Sequence, residues 1–305
     1  MMKLGFVSAI LPEYSFEQVI DFAAENGFSC VEIMCWPSGK ADRRYAGVTH
    51  IDVNTLDQAK ADDILGYAAD KNVEISALGY YPNPMHEDDD KGAYYRSHLS
   101  HVIRAANLLK LSRVNTFIGR DQGLNMEDNI EKFKDLWPSI IYFAEEMGVN
   151  IGIENCPMYF SNDEWPKGQN IAYSPAVWRQ LFEIINSANF GLNYDPSHLL
   201  WMQMDYIKPI YEFQERIFHV HIKDARVYKD KLDDYGVLAN PLKFHSPKLP
   251  GLGDVDWGAY FSALNDIGYN GPACIEVEDK TYENSLADRK KALIQSITYL
   301  KNFQA

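Results

Sequence analysis

Short apolar runs alternate with helix-like stretches along the whole chain, and this alternation limits the fold more than any other feature. The runs fall at residues 3–8, 30–35, 73–80, 113–118, 149–154, 190–194, 216–222 and 272–277. Helix-like segments follow at 15–26, 55–71, 92–110, 126–147, 174–187, 206–213, 257–267 and 286–303. Local signals agree with this division. Ser15 can cap the first helix and Gly27 can stop it. Pro175 suits a first helical position. Pro138 predicts a kink or a new segment within 126–147. The runs are short and mostly apolar, as expected where both faces of a strand are covered. Two layouts fit strands alternating with helices: an open doubly wound sheet or a closed barrel. Eight units in 305 residues predict an α/β fold, the (β/α)8 TIM barrel. No Gly-x-Gly-x-x-Gly follows the first run, which argues against a dinucleotide fold.

No linker interrupts the pattern, so residues 1–305 are read as a single domain. A polar segment containing Gly39, Arg43 and Arg44 follows the second run. The connection 225–255 reads as irregular and is long enough to cover a site. Composition then excludes several classes. With 46% hydrophobic residues the chain is not disordered, and its four cysteines are too widely spaced for a disulfide scaffold. No run of eighteen apolar residues predicts a membrane span. The N-terminus lacks the long apolar region of a signal peptide, so a cytoplasmic location is expected. A formal net charge of −14 argues against a nucleic-acid partner.

In a barrel of this kind, chemistry sits at the C-terminal ends of the strands. Four polar residues end the late runs: Glu154 in IGIENCP, Asp195 in GLNYDPSH, His221 in IFHVHIKD and Glu276 in CIEVED. Three carboxylates and an imidazole, with no thiolate, suit one divalent ion such as Mn, Co, Mg or Zn. Without a cation, such crowding would raise the pKa of at least one acid. His198 follows Asp195 by three residues, which returns it over the same mouth if a helical turn starts at Pro196. His219 shares a side with His221 but lies one layer deeper, as a packing residue. Lys223 shares that side higher up, where it could hold a substrate oxygen. Asp224 could orient a histidine or Arg226, or cap the next turn. Glu32 reads as a barrel-wall acid paired with Lys or Arg. Trp36 and Tyr80 stand beyond strand ends, where aromatic rings suit stacking on a sugar. Asn83, His86, Asp121 and Trp165 fall in loops at the same end. Cys30, Cys35, Cys156 and Cys274 read as small buried hydrophobes, and only Cys156 adjoins a candidate ligand.

Over nearly its whole length the chain resembles the sugar phosphate isomerase and epimerase superfamily, the xylose isomerase-like TIM barrels. That resemblance implies one divalent metal held by Glu154, Asp195, His221 and Glu276. It also implies that Glu154 and Glu276 form a catalytic acid–base pair, as in the ketose epimerase branch, and that His198 and Arg226 bind substrate. The segments YYPNP, FIGRD, IENCPM, HxKD and PGLGDVDW are similar to those of a bacterial subgroup. They point to Tyr80, Asn83, Asp121, Asn155 and Lys223 as further pocket residues. The endonuclease branch needs more histidines for a three-metal cluster and a basic DNA surface, whereas few of the eight histidines here are suitably placed and the net charge is −14. The expected activity is a metal-dependent isomerase or epimerase of a sugar or keto-sugar, working through a metal-stabilised enediolate. The alternative is a lyase or dehydratase acting on a keto-sugar, keto-inositol or 3-keto-glycoside, in which the same enediolate expels a leaving group. No Gly-rich phosphate loop is apparent, so nothing calls for a phosphorylated substrate. A small-molecule sugar is the expected partner, and a homo-oligomer is left open.

Overall fold

The computed structural model describes residues 2–39, 46–159, 161 and 164–303. Its strands are β1 (Lys3–Val7), β2 (Cys30–Met34), β3 (Glu74–Gly79), β4 (Arg113–Thr116), β5 (Asn150–Glu154), β6 (Phe190–Tyr194), β7 (Ile217–Ile222), β8 (Asp224–Val227), β9 (His245–Lys248) and β10 (Pro272–Ile275). Eight of them close a parallel barrel in the order β1-β10-β7-β6-β5-β4-β3-β2, with β8 and β9 paired separately. Strands such as β2 and β6 are buried at every position, because one face meets the barrel axis and the other meets the helices.

The helices are α1 (Phe16–Glu25), α2 (Gln58–Asp70), α3 (Asp89–Leu108), α4 (Met126–Glu146), α5 (Pro175–Ile184), α6 (Pro196–Trp201), α7 (Lys208–Glu212), α8 (Lys229–Tyr235), α9 (Trp257–Asp266) and α10 (Leu286–Leu300). Ser15 and Gln18 form a reciprocal capping box at the start of α1. The aromatic core fills the space between strands and helices. Phe133, Trp137 and Phe190 stack there with ring centroids 6.1–6.3 Å apart. The Trp137 indole donates to the Ile118 carbonyl at 3.1 Å, so its buried N–H is satisfied. No helix among the described residues is long and apolar enough to cross a membrane.

The structure departs from the sequence reading in three places. Pro138 does not divide α4, which runs unbroken from Met126 to Glu146. Buried Phe133, Trp137, Ile140 and Ile141 anchor the helix on both sides of the proline, and that packing outweighs the missing N–H. The expected short helix at 206–213 is present as α7, but a further helix, α6, precedes it and starts directly from Asp195. The connection 225–255 is also ordered: β8 and β9 form an antiparallel pair with α8 between them. Asp224 explains that order. Its Oδ1 accepts from the backbone N–H groups of Ala225 and Val255 at 2.8 and 3.0 Å. Its Oδ2 accepts from Gly251 and Gly253 N–H at 2.9 and 3.3 Å and from the Trp257 indole at 2.9 Å. A Cβ at residue 253 would lie 2.2 Å from Asp224 Oδ1, so this approach requires glycine. Asp224 therefore ties the loop down and touches neither Arg226 nor a histidine through these bonds. Arg43 and Arg44 lie outside the described residues.

Candidate metal centre

Four neighbouring strands deliver the site. Glu154 is the last residue of β5, Asp195 follows β6, His221 is the penultimate residue of β7, and Glu276 follows β10. One donor atom from each lies within 4.8 Å of the others. His221 Nδ1 stands 3.6 Å from Glu154 Oε1 and 3.4 Å from Glu276 Oε2. Glu154 Oε1, Asp195 Oδ2 and His221 Nδ1 are buried and make no hydrogen bond. Buried polar atoms are nearly always satisfied, and these face one point where Lys223 and His198 offer the two carboxylates ion-pair contacts but no hydrogen bond. Three carboxylates and an imidazole are a donor set that could hold a divalent cation.

Neighbouring groups aim each donor. Asp195 caps α6, and its Oδ1 accepts from Ser197 N–H at 2.7 Å, leaving Oδ2 for the centre. Asn155 clamps the Asp195 backbone, donating to its carbonyl and accepting from its N–H, both at 2.8 Å. His221 Nε2 lies 2.8 Å from Glu32 Oε2. We assign the ring proton to that nitrogen, which turns the Nδ1 lone pair toward the carboxylates. Glu32 is fully buried, receives the Tyr81 hydroxyl on Oε1, and accepts from Asn115 Nδ2 on Oε2 at 3.1 Å. A Cβ at residue 79 would come within 2.5 Å of Glu32 Oε1, so Gly79 makes room for this carboxylate. Glu32 is thus partnered by histidine, tyrosine and asparagine rather than by the Lys or Arg expected. His219 lies deeper, with Nδ1 2.9 Å from Asn193 Oδ1 and Nε2 3.2 Å from Ser76 Oγ. Burial lowers its pKa, in keeping with a neutral packing residue.

The charges are tightly interlocked. Lys223 Nζ lies 2.6 Å from Glu276 Oε2, 3.1 Å from Asp195 Oδ2, 3.2 Å from Glu278 Oε2 and 3.8 Å from Glu154 Oε1. Burial alone would lower the Lys223 pKa, but these carboxylates hold it well above its ordinary value. Burial would raise Glu154, yet the His198 and His221 imidazoles and Lys223 keep it well below the usual carboxylate range. Glu276 is likewise brought down to about 2, against burial, chiefly by Lys223. Burial disfavours charge on His221, but Glu32 and Glu276 lift it well above its ordinary value. Positive charge therefore belongs between these groups, as a proton on His221 or as a cation at Nδ1. His198 Nε2 is 3.3 Å from Asp195 Oδ2 and 3.5 Å from Glu154 Oε1, over the same mouth.

Above the centre opens a cleft of about 640 Å³. Trp36, Lys223, Glu154 and Glu276 line it, as do four groups the sequence reading did not place there: Tyr81, Phe117, Cys156 and Glu278. Glu278 had a usable signal, since it sits two residues after Glu276 and shares its side. Six expected substrate residues do not line the cleft, among them His198, which stands beside Glu154 and Asp195 instead. Tyr80 is fully buried and packs edge-on against Trp36 and His98, with centroids 4.9 and 4.7 Å away, in the layer between strands and helices. Asn83 staples loops, exchanging hydrogen bonds with the Arg120 backbone at 2.8 Å. Asp121 is taken up by Lys132 and Gly123 N–H, both at 2.9 Å. Asn155 is spent on the Asp195 backbone. Arg226 is exposed on β8, opposite Ser246.

A family model described as a xylose isomerase-like TIM barrel matches residues 20–303. The chain belongs to this family. Among curated relatives, the protein YfiH of Bacillus subtilis is 26% identical over 97% of this chain and 100% of its own length. A ketose 3-epimerase of Arthrobacter globiformis is 28% identical, over 44% of this chain and 36% of that enzyme. An inosose dehydratase of Clostridium perfringens is 28% identical over 40% of this chain and 41% of the enzyme. A crystal structure of the IolI protein with a bound zinc atom superimposes with a TM-score of 0.72 at 18% identity, covering 100% of both chains. Epimerases and dehydratases thus share this xylose isomerase-like barrel.

Proposed function

We propose that the chain is a divalent-metal-dependent isomerase or epimerase of a keto-sugar, with Glu154 and Glu276 moving the substrate proton. The observation that carries this reading is the placement of the two glutamates. They stand on β5 and just after β10, with β6 and β7 between them in the barrel, and both face the same centre. Glu154, Asp195, His221 and Glu276 would hold the ion. When bound, it would supply Lewis-acid stabilisation of charge developing on a substrate carbonyl oxygen. One glutamate takes the proton from the carbon beside the carbonyl, and the other returns a proton from its own side. Return to the opposite face inverts that carbon, and return to the neighbouring carbon isomerises the sugar. Lys223 keeps Glu276 ionised, and His198 stands ready to hold a substrate oxygen. The ketose 3-epimerase relative and the zinc bound in IolI support the reading.

A second reading, lyase or dehydratase, rests on Lys223. Its ammonium lies 2.6 Å from Glu276 and could protonate a departing hydroxyl or alkoxide. Inosose dehydratases among the relatives agree with it. Proton NMR of keto-sugars in deuterated water with enzyme and Mn separates the two. Isotope exchange with inversion or carbonyl migration supports the first reading, and loss of a leaving group supports the second. Absence of exchange and elimination with every keto-sugar would sink both.

Two further results are expected. Chelation should abolish activity, and Asp195→Ala should leave little metal bound after gel filtration, because a buried ligand is lost. Undiminished metal content in that variant would count against this ligand set. Glu32→Gln keeps the size of the side chain but removes the carboxylate behind His221. Metal affinity, measured by competition with a chelator, should fall about 10–100-fold. An unchanged affinity would show that Glu32 does not orient the ligand.

A further inference from the structure

The mouth of the barrel is divided into two unlike halves. The late strands supply Glu154, Lys223, Glu276 and Glu278 to the cleft. The early strands and the residues just beyond them supply Val7, Ile10, Met34, Trp36 and Phe117, joined at the seam by Val277. Among the described lining residues, the early half contains no charged side chain. Its Tyr81 hydroxyl is already engaged by Glu32 and lies 3.0 Å from Asn193 Nδ2. A polyhydroxylated chain laid across this half would lose water from its hydroxyls and find few partners, which is costly.

The charged half is equally selective. Lys223 is the one cationic side chain among the described lining residues, and four carboxylates surround it. That ammonium is already shared among these carboxylates, so among the described lining residues a phosphate ester would find no free cation to offset the loss of its hydration.

We infer that the substrate is an uncharged keto-sugar bearing an apolar substituent, such as an aryl group or a deoxygenated terminus. Its hydroxy-ketone oxygens face the β5–β10 side, and the substituent lies against Trp36, Met34 and Phe117. This rests on the proposed reading of the site, because that reading places the reacting oxygens at the carboxylate cluster. Aromatic walls and aliphatic side chains reward an apolar group through lost water contact and ring packing.

The test uses the Mn-loaded protein and a matched series: fructose, its terminally deoxygenated analogue, its terminal phosphate ester, and an aryl-substituted keto-sugar. Two readouts are taken, isotope exchange in deuterated water and saturation-transfer NMR of binding. The deoxygenated or aryl compound should exceed fructose by at least about tenfold in kcat/KM or affinity, with the phosphate ester weakest. Saturation transfer should be strongest to the protons of the substituent. Trp36→Ala and Phe117→Asn should each pull the preference ratio toward one. Preference for the phosphate ester, equal binding of fructose and its apolar analogues, or no binding of any apolar member would overturn the inference. Selective binding of the apolar compounds without exchange or elimination would instead uphold it and reject the proposed chemistry.

Discussion

Glu154→Gln and Glu276→Gln should each lower turnover by at least about 10²-fold at saturating metal ion, the lower end of what a positioned acid–base group supplies. Glutamine keeps the length of the side chain and one oxygen able to face a cation, but it cannot accept a proton at neutral pH. Metal binding should therefore weaken only modestly, and saturating ion removes that contribution from the measurement. At position 276 the amide oxygen can still accept from Lys223, which retains Asp195 and Glu278 as partners at 3.1 and 3.2 Å. The two variants need not behave alike. The glutamate that removes the proton controls exchange of substrate hydrogen with deuterated water. The glutamate that returns it controls inversion, so one variant should still exchange label while failing to invert. Near wild-type turnover in both would reject the two-glutamate mechanism.

The features legible in the sequence are those set by local pattern. Apolar runs ending in Glu154, Asp195 and Glu276 mark strand ends because a buried strand excludes charge until it reaches the mouth. Side-chain alternation from His221 places Lys223 correctly over the same centre and His219 one layer beneath it. Alternation fails at β3. Ser76 faces the axis, where it meets His219, and strict alternation would then turn Tyr80 inward. A register shift pairs Val31 with Ile75 and Glu32 with Ala77, skipping Ser76. That extra residue reverses the parity, so Tyr81 enters the cleft and Tyr80 packs against His98. Other features depend on contacts across the barrel. Glu32 and His221 meet from strands 189 positions apart in sequence, and no local periodicity reports such a pairing. The same holds for Asp224, whose acceptor role appears only once Gly251, Gly253, Val255 and Trp257 have folded back over it.

Lys223→Met is expected to lower the stability of the metal-free protein by about 3–5 kcal/mol, the usual cost of leaving buried charges unpaired. For a barrel of this size that is on the order of 5–10 °C in Tm. Methionine fills much the same volume, so a packing void contributes little. The loss is electrostatic, because Glu154, Asp195, Glu276 and Glu278 all face the missing ammonium. Some of these acids should respond by taking up protons, which raises their folded-state pKa above the unfolded value. Stability from such a raised group is present at low pH and fades as pH rises through the folded pKa, so the deficit should shrink on acidification. A divalent ion should shrink it too. Lys223 contacts three of the four candidate ligand residues, so ammonium and ion draw on the same negative charge. Without the ammonium the variant should bind Mn more tightly, and Mn should raise its Tm more than it raises that of the wild type. Thermal melts with and without Mn at two pH values measure all three effects. Equal melting of the two metal-free proteins would mean that Lys223 does not offset the repulsion among these carboxylates. An Mn-induced rise no larger than in the wild type would mean that the cation site lies elsewhere.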